Sequence, residues 1–249
     1  MDEEKLKFND DKTELLLVYS SRKRCQPSPM PIQVGESRLT PRASVKNLGV
    51  IIDGHLSMEE EVQSLCKRAN FPIWSIGRIR RFLDDATTEK LMHAFVFSTI
   101  DSCNYLLYGL PDKLLDRLQL VQNKAARMVR RVKKHDHITP HLKALHWLPI
   151  KSRIVFKILV LTFHCLHGSA PAYLSELIKP YRPASQSRSA TSPNLLCIPR
   201  IRLETYGARS FSHAAPTLWN KLPEDIRAIN SMSLFRSRLK THLFKIAYM

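Results

Sequence analysis

The sequence predicts an α+β chain that is mostly helical. Two observations carry that reading. The first ~55 residues hold short β-type runs separated by turn residues, and from about Ser57 the apolar residues recur at helical spacing. Glu14 to Tyr19 has the length of a buried strand. A turn- and proline-rich loop follows, from Ser20 to Pro31. Ile32 to Val34 and Val45 to Ile52 are further strand candidates, and Gly35 and Gly54 mark turns. Ser57 with Glu60 forms a capping-box pattern that opens a first helix. Val62, Leu65, Ala69 and Ile73 give it one apolar face, and Pro72 predicts a kink or a break inside it. A second helix is expected from Thr88 to about Leu107, ended by Gly109-Leu110-Pro111. A third spans Lys113 to about Lys134. A fourth runs from Lys151 to about His167 and stops at Gly168 with Pro171 beyond it. Ser185 to Pro199 reads as a loop or weak strand pair, and Ser233 to Ala247 as a final amphipathic helix.

Charge narrows the function. Of the 249 residues, which carry a net charge of +17, residues 1–60 contribute −1 and residues 61–249 contribute +18. A body this basic attracts a polyanion, and nucleic acid is the partner that best fits. No apolar run reaches the ~18 residues of a membrane span; the longest candidate, Ile154 to Cys165, is interrupted by Lys157. The acidic start (Asp2, Glu3, Glu4) is the reverse of a signal or transit peptide, and Met1 to Asp11 reads as a cut, not a domain beginning. Five scattered cysteines (Cys25, Cys66, Cys103, Cys165, Cys197) read as reduced intracellular thiols. The expected location is intracellular, nuclear or cytoplasmic.

The third helix carries the candidate site. On a helical wheel Leu114, Leu118, Val121, Ala125, Met128, Val129 and Val132 share one face. Lys113, Arg117, Lys124, Arg127 and Arg131 fall within an arc of about 80° on another. Separations of three and four residues, or sums of these, set them in a row that could track phosphates. A solvated face usually mixes signs, yet Asp112 and Asp116 are the only acids here. The expected partner is RNA or DNA with low sequence specificity. No membrane partner is expected and no small-molecule site is evident.

Other chemistry is poorly supported. His135, His137, His141, His146, His164, Cys165 and His167 lack the spacing of a zinc site and read as loop and core residues. No metal ligand set is expected in this chain. There is no G-x-S-x-G, P-loop or G-x-G-x-x-G. Phe82-Leu83-Asp84-Asp85 matches the aromatic-x-Asp-Asp form of a polymerase centre, whose carboxylates bind two divalent metals. Its setting, before the helix start Ala86-Thr87-Thr88-Glu89, argues instead for an N-cap and a first-turn acid.

Several segments, in order, resemble the end of reverse transcriptases from non-LTR (LINE-type, jockey-like) retrotransposons. They are Phe8-Asn9-Asp10-Asp11-Lys12-Thr13-Glu14; Asn47-Leu48-Gly49-Val50 with Ile52-Asp53; Ser98-x-x-Asp101-Ser102-Cys103-Asn104; Gly109-Leu110-Pro111; Leu118-Gln119-x-x-Gln122-Asn123-x-Ala125-Ala126-Arg127; Leu145-His146-Trp147-Leu148-Pro149-Ile150; and Ala215-Pro216-x-x-Trp219-Asn220-x-Leu222-Pro223. The resemblance implies that residues 1–56 are the last strands of a polymerase palm, 57–134 thumb-like helices, and 135–249 the C-terminal domain of such elements. It also implies that the catalytic carboxylates, and the Mg2+ they would hold, belong to a palm outside this chain, leaving no catalytic residue and no cofactor here. Lys12 matches the motif lysine that can protonate departing pyrophosphate, but without carboxylates it has nothing to assist. Trp147 and Trp219 read as core anchors. Two other readings stay open: a domesticated, non-enzymatic RNA- or protein-binding module, and a translated relic without function.

Overall fold

Short β-pairings precede a helical body in the computed structural model, which describes residues 12–19, 30–35, 37–181 and 194–249. Asn9 to Asp11, Cys25, most of the proline-rich loop and Ser185 to Pro193 lie outside the described residues. The chain forms two compact units, Met1–Leu65 and Cys66–Met249. It belongs to the α+β class and is mostly helical.

In the first unit the strands pair two by two. β1 (Leu15–Leu16) runs parallel to β4 (Pro41–Arg42), and an ion pair joins Glu14 to Arg42. β2 (Ile32–Val34) pairs antiparallel with β3 (Ser37–Leu39). The predicted single strand Val45 to Ile52 is instead a hairpin, β5 (Ser44–Asn47) with β6 (Val50–Asp53). Its two-residue turn holds Leu48 and Gly49 at φ of 48° and 90°, the left-handed pair that matches strand twist in tight hairpins. Gly54 follows, with its N–H donating to Ala43 O and its carbonyl accepting from Tyr19 N, both at 3.0 Å. A side chain at Gly54 would meet Leu17 O at 2.7 Å, so the close crossing requires glycine.

At the start of helix α1 (Glu59–Ile79) the Ser57 hydroxyl accepts from Glu59 N at 3.3 Å, so the predicted cap residue is in place, and Asp53 braces the turn before it. The Asp53 carboxylate accepts from the N–H groups of His55, Ser57 and Met58 and from the Ser57 hydroxyl, at 2.8–3.1 Å. Burial alone would raise its pKa, but these bonds hold it below the usual carboxylate value. Glu61, almost wholly buried, turns back to accept from Ile51 N at 2.9 Å. The expected break at Pro72 does not occur, and α1 continues through it. The hydrogen bond that proline removes lies on the side where Arg68 and Phe71 are exposed, and water can replace it there.

The second unit is helical. A 3-10 turn (Arg80–Phe82) leads to α2 (Asp85–Met92), a π-turn (His93–Phe97) and α3 (Ser98–Asp101). The predicted helix from Thr88 to Leu107 therefore runs through the π-turn to Asp101 and is broken once, at Ser102-Cys103. Cys103 sits in the left-handed region (φ 53°), and a 3-10 turn (Asn104–Leu107) closes the segment. α4 (Asp112–Arg130) packs beside α6 (Ile150–Leu166), with α5 (Thr139–Ala144) between them in sequence. The short turns α7 (Ala172–Ser175) and α8 (Glu204–Gly207) lead to α9 (Phe211–Asn220), α10 (Glu224–Arg227) and α11 (Met232–Tyr248). α6 is the hub, touching α4, α9 and α11. Phe163 from α6 stacks on Phe235 of α11 at 4.5 Å, and Phe235 meets Trp219 of α9 at 5.7 Å. Trp147 and Trp219 are 2% and 1% exposed, the core anchors expected. No described helix is long and apolar enough to cross a membrane.

Candidate nucleic-acid interface

The predicted basic row lies on α4, which buries Leu114, Leu118, Val121, Ala125 and Val129 as its periodicity requires. A second buried line, Leu115, Gln122 and Ala126, packs the helix on a wider arc than the sequence suggested. Basic residues are left on the opposite arc, but only part of the row points freely to solvent. Lys113 and Lys124 are exposed, and Lys124 Nζ donates to Asn70 Oδ1 of α1 at 3.2 Å. Arg117 is half-buried. Burial raises the Cys66 thiol pKa above its ordinary value, and the positive fields of Arg117 and Lys124 oppose that rise.

Arg127 and Arg131 have structural work at the helix end. Arg127 donates to the carbonyls of Lys133, Lys134 and Asp136 at 2.8–3.3 Å. These bonds fold the chain back after Arg130, and Arg131 takes the left-handed conformation (φ 52°) that ends the helix. The predicted continuation to Lys134 fails for this reason. Glycine and proline are absent from this end, so nothing local in the sequence announced it. Arg131 then reaches Leu83 O with Nη2 at 3.0 Å, while about half of its side chain stays exposed. Arg130, Lys133 and Lys134 are also exposed here and were missed because they lie off the predicted row.

The two acids of the helix do not neutralise that arc. Asp112 Oδ1 pairs with Lys151 Nζ on α6 at 2.8 Å. That hydrogen bond raises the Lys151 pKa, and the fields of Asp112 and Asp116 add to it.

Phe82-Leu83-Asp84-Asp85 is built as a helix start. Asp84 Oδ1 accepts from Thr87 N at 2.7 Å, and hydrogen bonding from the Thr87 side chain, then from its backbone, holds the Asp84 carboxyl below its usual pKa. Asp85 pairs with Arg80, whose guanidinium is buried and also donates to Met128 O, Val129 O and Leu83 O at 2.6–2.8 Å. Both carboxylates thus serve the junction between the 3-10 turn, α2 and the end of α4. Lys12 is exposed just before β1. Among the described residues no three His, Cys, Asp or Glu side chains converge as a metal site.

Two of the segments that carry the resemblance hold each other in place, and two more are tied to the residues around them. Gln119 Oε1 accepts from Ile150 N, and Gln122 Nε2 donates to Leu148 O, both at 2.9 Å. The helix α4 motif thereby grips the Trp-Leu-Pro-Ile motif. Arg153 forks onto Asp101, with Nε to Oδ1 at 2.9 Å. Asn220 exchanges two hydrogen bonds with the Leu196 backbone, at 2.8 and 2.9 Å, and Trp219 Nε1 donates to Asn194 O at 2.9 Å. No protein-family model, curated protein or solved structure matches the chain.

Proposed function

We propose that the chain corresponds to the C-terminal part of an RNA-directed DNA polymerase of a non-LTR retrotransposon, without its catalytic carboxylates, retaining affinity for RNA or DNA. On this reading residues 1–56 derive from the end of a palm and 57–134 from a thumb, and the protein acts in the nucleus or cytoplasm. The observation that carries the binding role is the net +18 of residues 61–249 together with the cationic arc of α4. Lys113 and Lys124 are exposed on that arc, Arg131 is exposed just past its end, and Asp112 is paired away from it. Arginine and lysine so placed favour phosphate over any neutral ligand. The ordered motifs support the family reading, and the hydrogen bonds of Gln119 and Gln122 to Ile150 and Leu148 give two of them a shared structural reason.

A primed RNA template tests both halves. The chain is expected to retain it on a filter at low salt and to add no nucleotide in the presence of Mg2+ and all four deoxynucleotides. Extension that disappears on Asp84→Ala with Asp85→Ala would overturn the assignment of those carboxylates to a helix cap. Failure to retain the template at any salt would remove the binding role.

A further inference from the structure

Helix α1 turns an unusual face to solvent. Its buried side is the apolar stripe Ala69, Ile73 and Ile76. Opposite it stand Lys67, Phe71, Trp74 and Arg78, with Phe82 carrying the line into the 3-10 turn. At 100° per residue the four on α1 fall within about 60° of arc. The three rings are large and open: Phe71 is 69% exposed, Trp74 60% and Phe82 72%. A soluble surface rarely leaves three aromatics in one row without a partner.

The row is also cationic. The Arg78 guanidinium lies over the Trp74 ring at 5.1 Å, and the Arg81 guanidinium over Phe82 at 4.6 Å. Phe71 and Trp74 are neighbours, with ring centres 6.4 Å apart. From Val62 to Leu83 there is not one acidic residue. Lys124 of α4 reaches this helix at Asn70, extending the positive field along its flank.

We propose that this face is a stacking track for single-stranded nucleic acid, with bases on Phe71, Trp74 and Phe82 and phosphates on Lys67, Arg78 and Arg81. The occupant follows from two requirements. Charge complementarity calls for a polyanion. Exposed rings call for flat, apolar faces at intervals along that polyanion, and single strands supply both. A duplex satisfies the first requirement alone, because its base faces are already stacked. This proposal rests on the nucleic-acid reading above and adds the strand form and the residues that discriminate it.

Trp74 supplies its own probe. The protein has three tryptophans, and the other two are buried. Titrating the full chain with oligo(dT) should therefore quench the solvent-exposed part of the emission, and Trp74→Phe should abolish that change while binding persists. Phe71→Ala with Trp74→Ala should weaken oligo(dT) binding by about tenfold or more, given the ~1–3 kcal/mol typical of one stacked base. Affinity for a duplex of equal charge should change less than about twofold. Each substitution lies at an exposed position, and a circular dichroism spectrum matching the parent confirms the fold. Heparin, a polyanion without bases, should bind and leave Trp74 emission unchanged. Single-strand binding without quenching, or equal losses for single strand and duplex, overturns the track and leaves the electrostatic reading standing. Binding to none of the three polyanions overturns both.

Discussion

Arg80 joins three elements through one buried guanidinium, and replacing it should cost more stability than any exposed charge. Its donors reach Met128 O and Val129 O in the last turn of α4, Leu83 O after the 3-10 turn, and the Asp85 carboxylate. The ion pair itself adds little, because the Asp85 side chain is 51% exposed and solvent screens it. The carbonyls decide the magnitude. A hydrogen bond from a charged donor is worth about 1.5–3 kcal/mol, and an acceptor left buried forfeits its hydration as well. Counting only the two carbonyls of α4, Arg80→Met should cost about 3–6 kcal/mol. For a unit of this size each kcal/mol moves Tm by about 2–4 °C, so a fall of at least about 6 °C is expected. Arg80→Lys keeps the charge, cannot fork, and should lose roughly half as much. Asp85→Asn should move Tm by less than about 3 °C. Calorimetry on the four proteins reads all of these differences. If Arg80→Met melts within about 2 °C of the parent, the guanidinium does not hold the helix end and the capped-junction account of Asp84 and Asp85 loses its support.

Two further outcomes follow from the same contacts. Burial holds His93 below its ordinary pKa, against the pull of Glu89. The unfolded chain then binds the proton more readily, so this contribution is complete above pH ~6.5 and is lost as pH falls through the folded value. Tm should drop more between pH 7.5 and 5 in the parent than in His93→Gln, and equal drops would show that His93 is not the group involved. The two-stranded ladders β1 to β6 hold mostly half-buried and exposed residues. Their amides should exchange with deuterium well before those of α4 and α6; equal protection would mean that the strands belong to a larger cooperative sheet.

The parts legible in the sequence were those with a local cause. Periodic burial located α4 and α6, Gly168 and Pro171 stopped α6, and the setting of Asp84 revealed a cap. What stayed hidden depends on partners far along the chain. At the Leu48-Gly49 turn Gly49 is a turn signal, but the other position is a leucine at positive φ, which gives no compositional sign. The turn before α1 is braced by Asp53, four and five residues upstream of the Ser57 and Met58 N–H groups that it accepts from. The end of α4 depends on Arg127 reaching carbonyls six to nine residues later. The site was half visible: the wheel found the cationic arc but could not tell which arginines the fold would use internally. The same limit applies to Arg227, which reads as a surface charge and is buried with Nε on Leu222 O at 3.1 Å.

The most direct measurement is the salt dependence of RNA binding by the parent and two charge variants. Lys113, Arg117, Lys124 and Arg131 are replaced by Gln in one, with Arg127 kept because it holds the helix end. Lys221, Arg236, Arg238 and Lys240, all exposed, are replaced by Gln in the other, so both lose four charges. If the arc touches about three to five phosphates, log affinity of the parent should fall against log salt with a slope of roughly −2 to −4. The α4 variant should bind every RNA more weakly with a slope flatter by at least about 1, while the control keeps the parental slope. Equal flattening in both variants would mean that overall charge does the binding and α4 is not an interface.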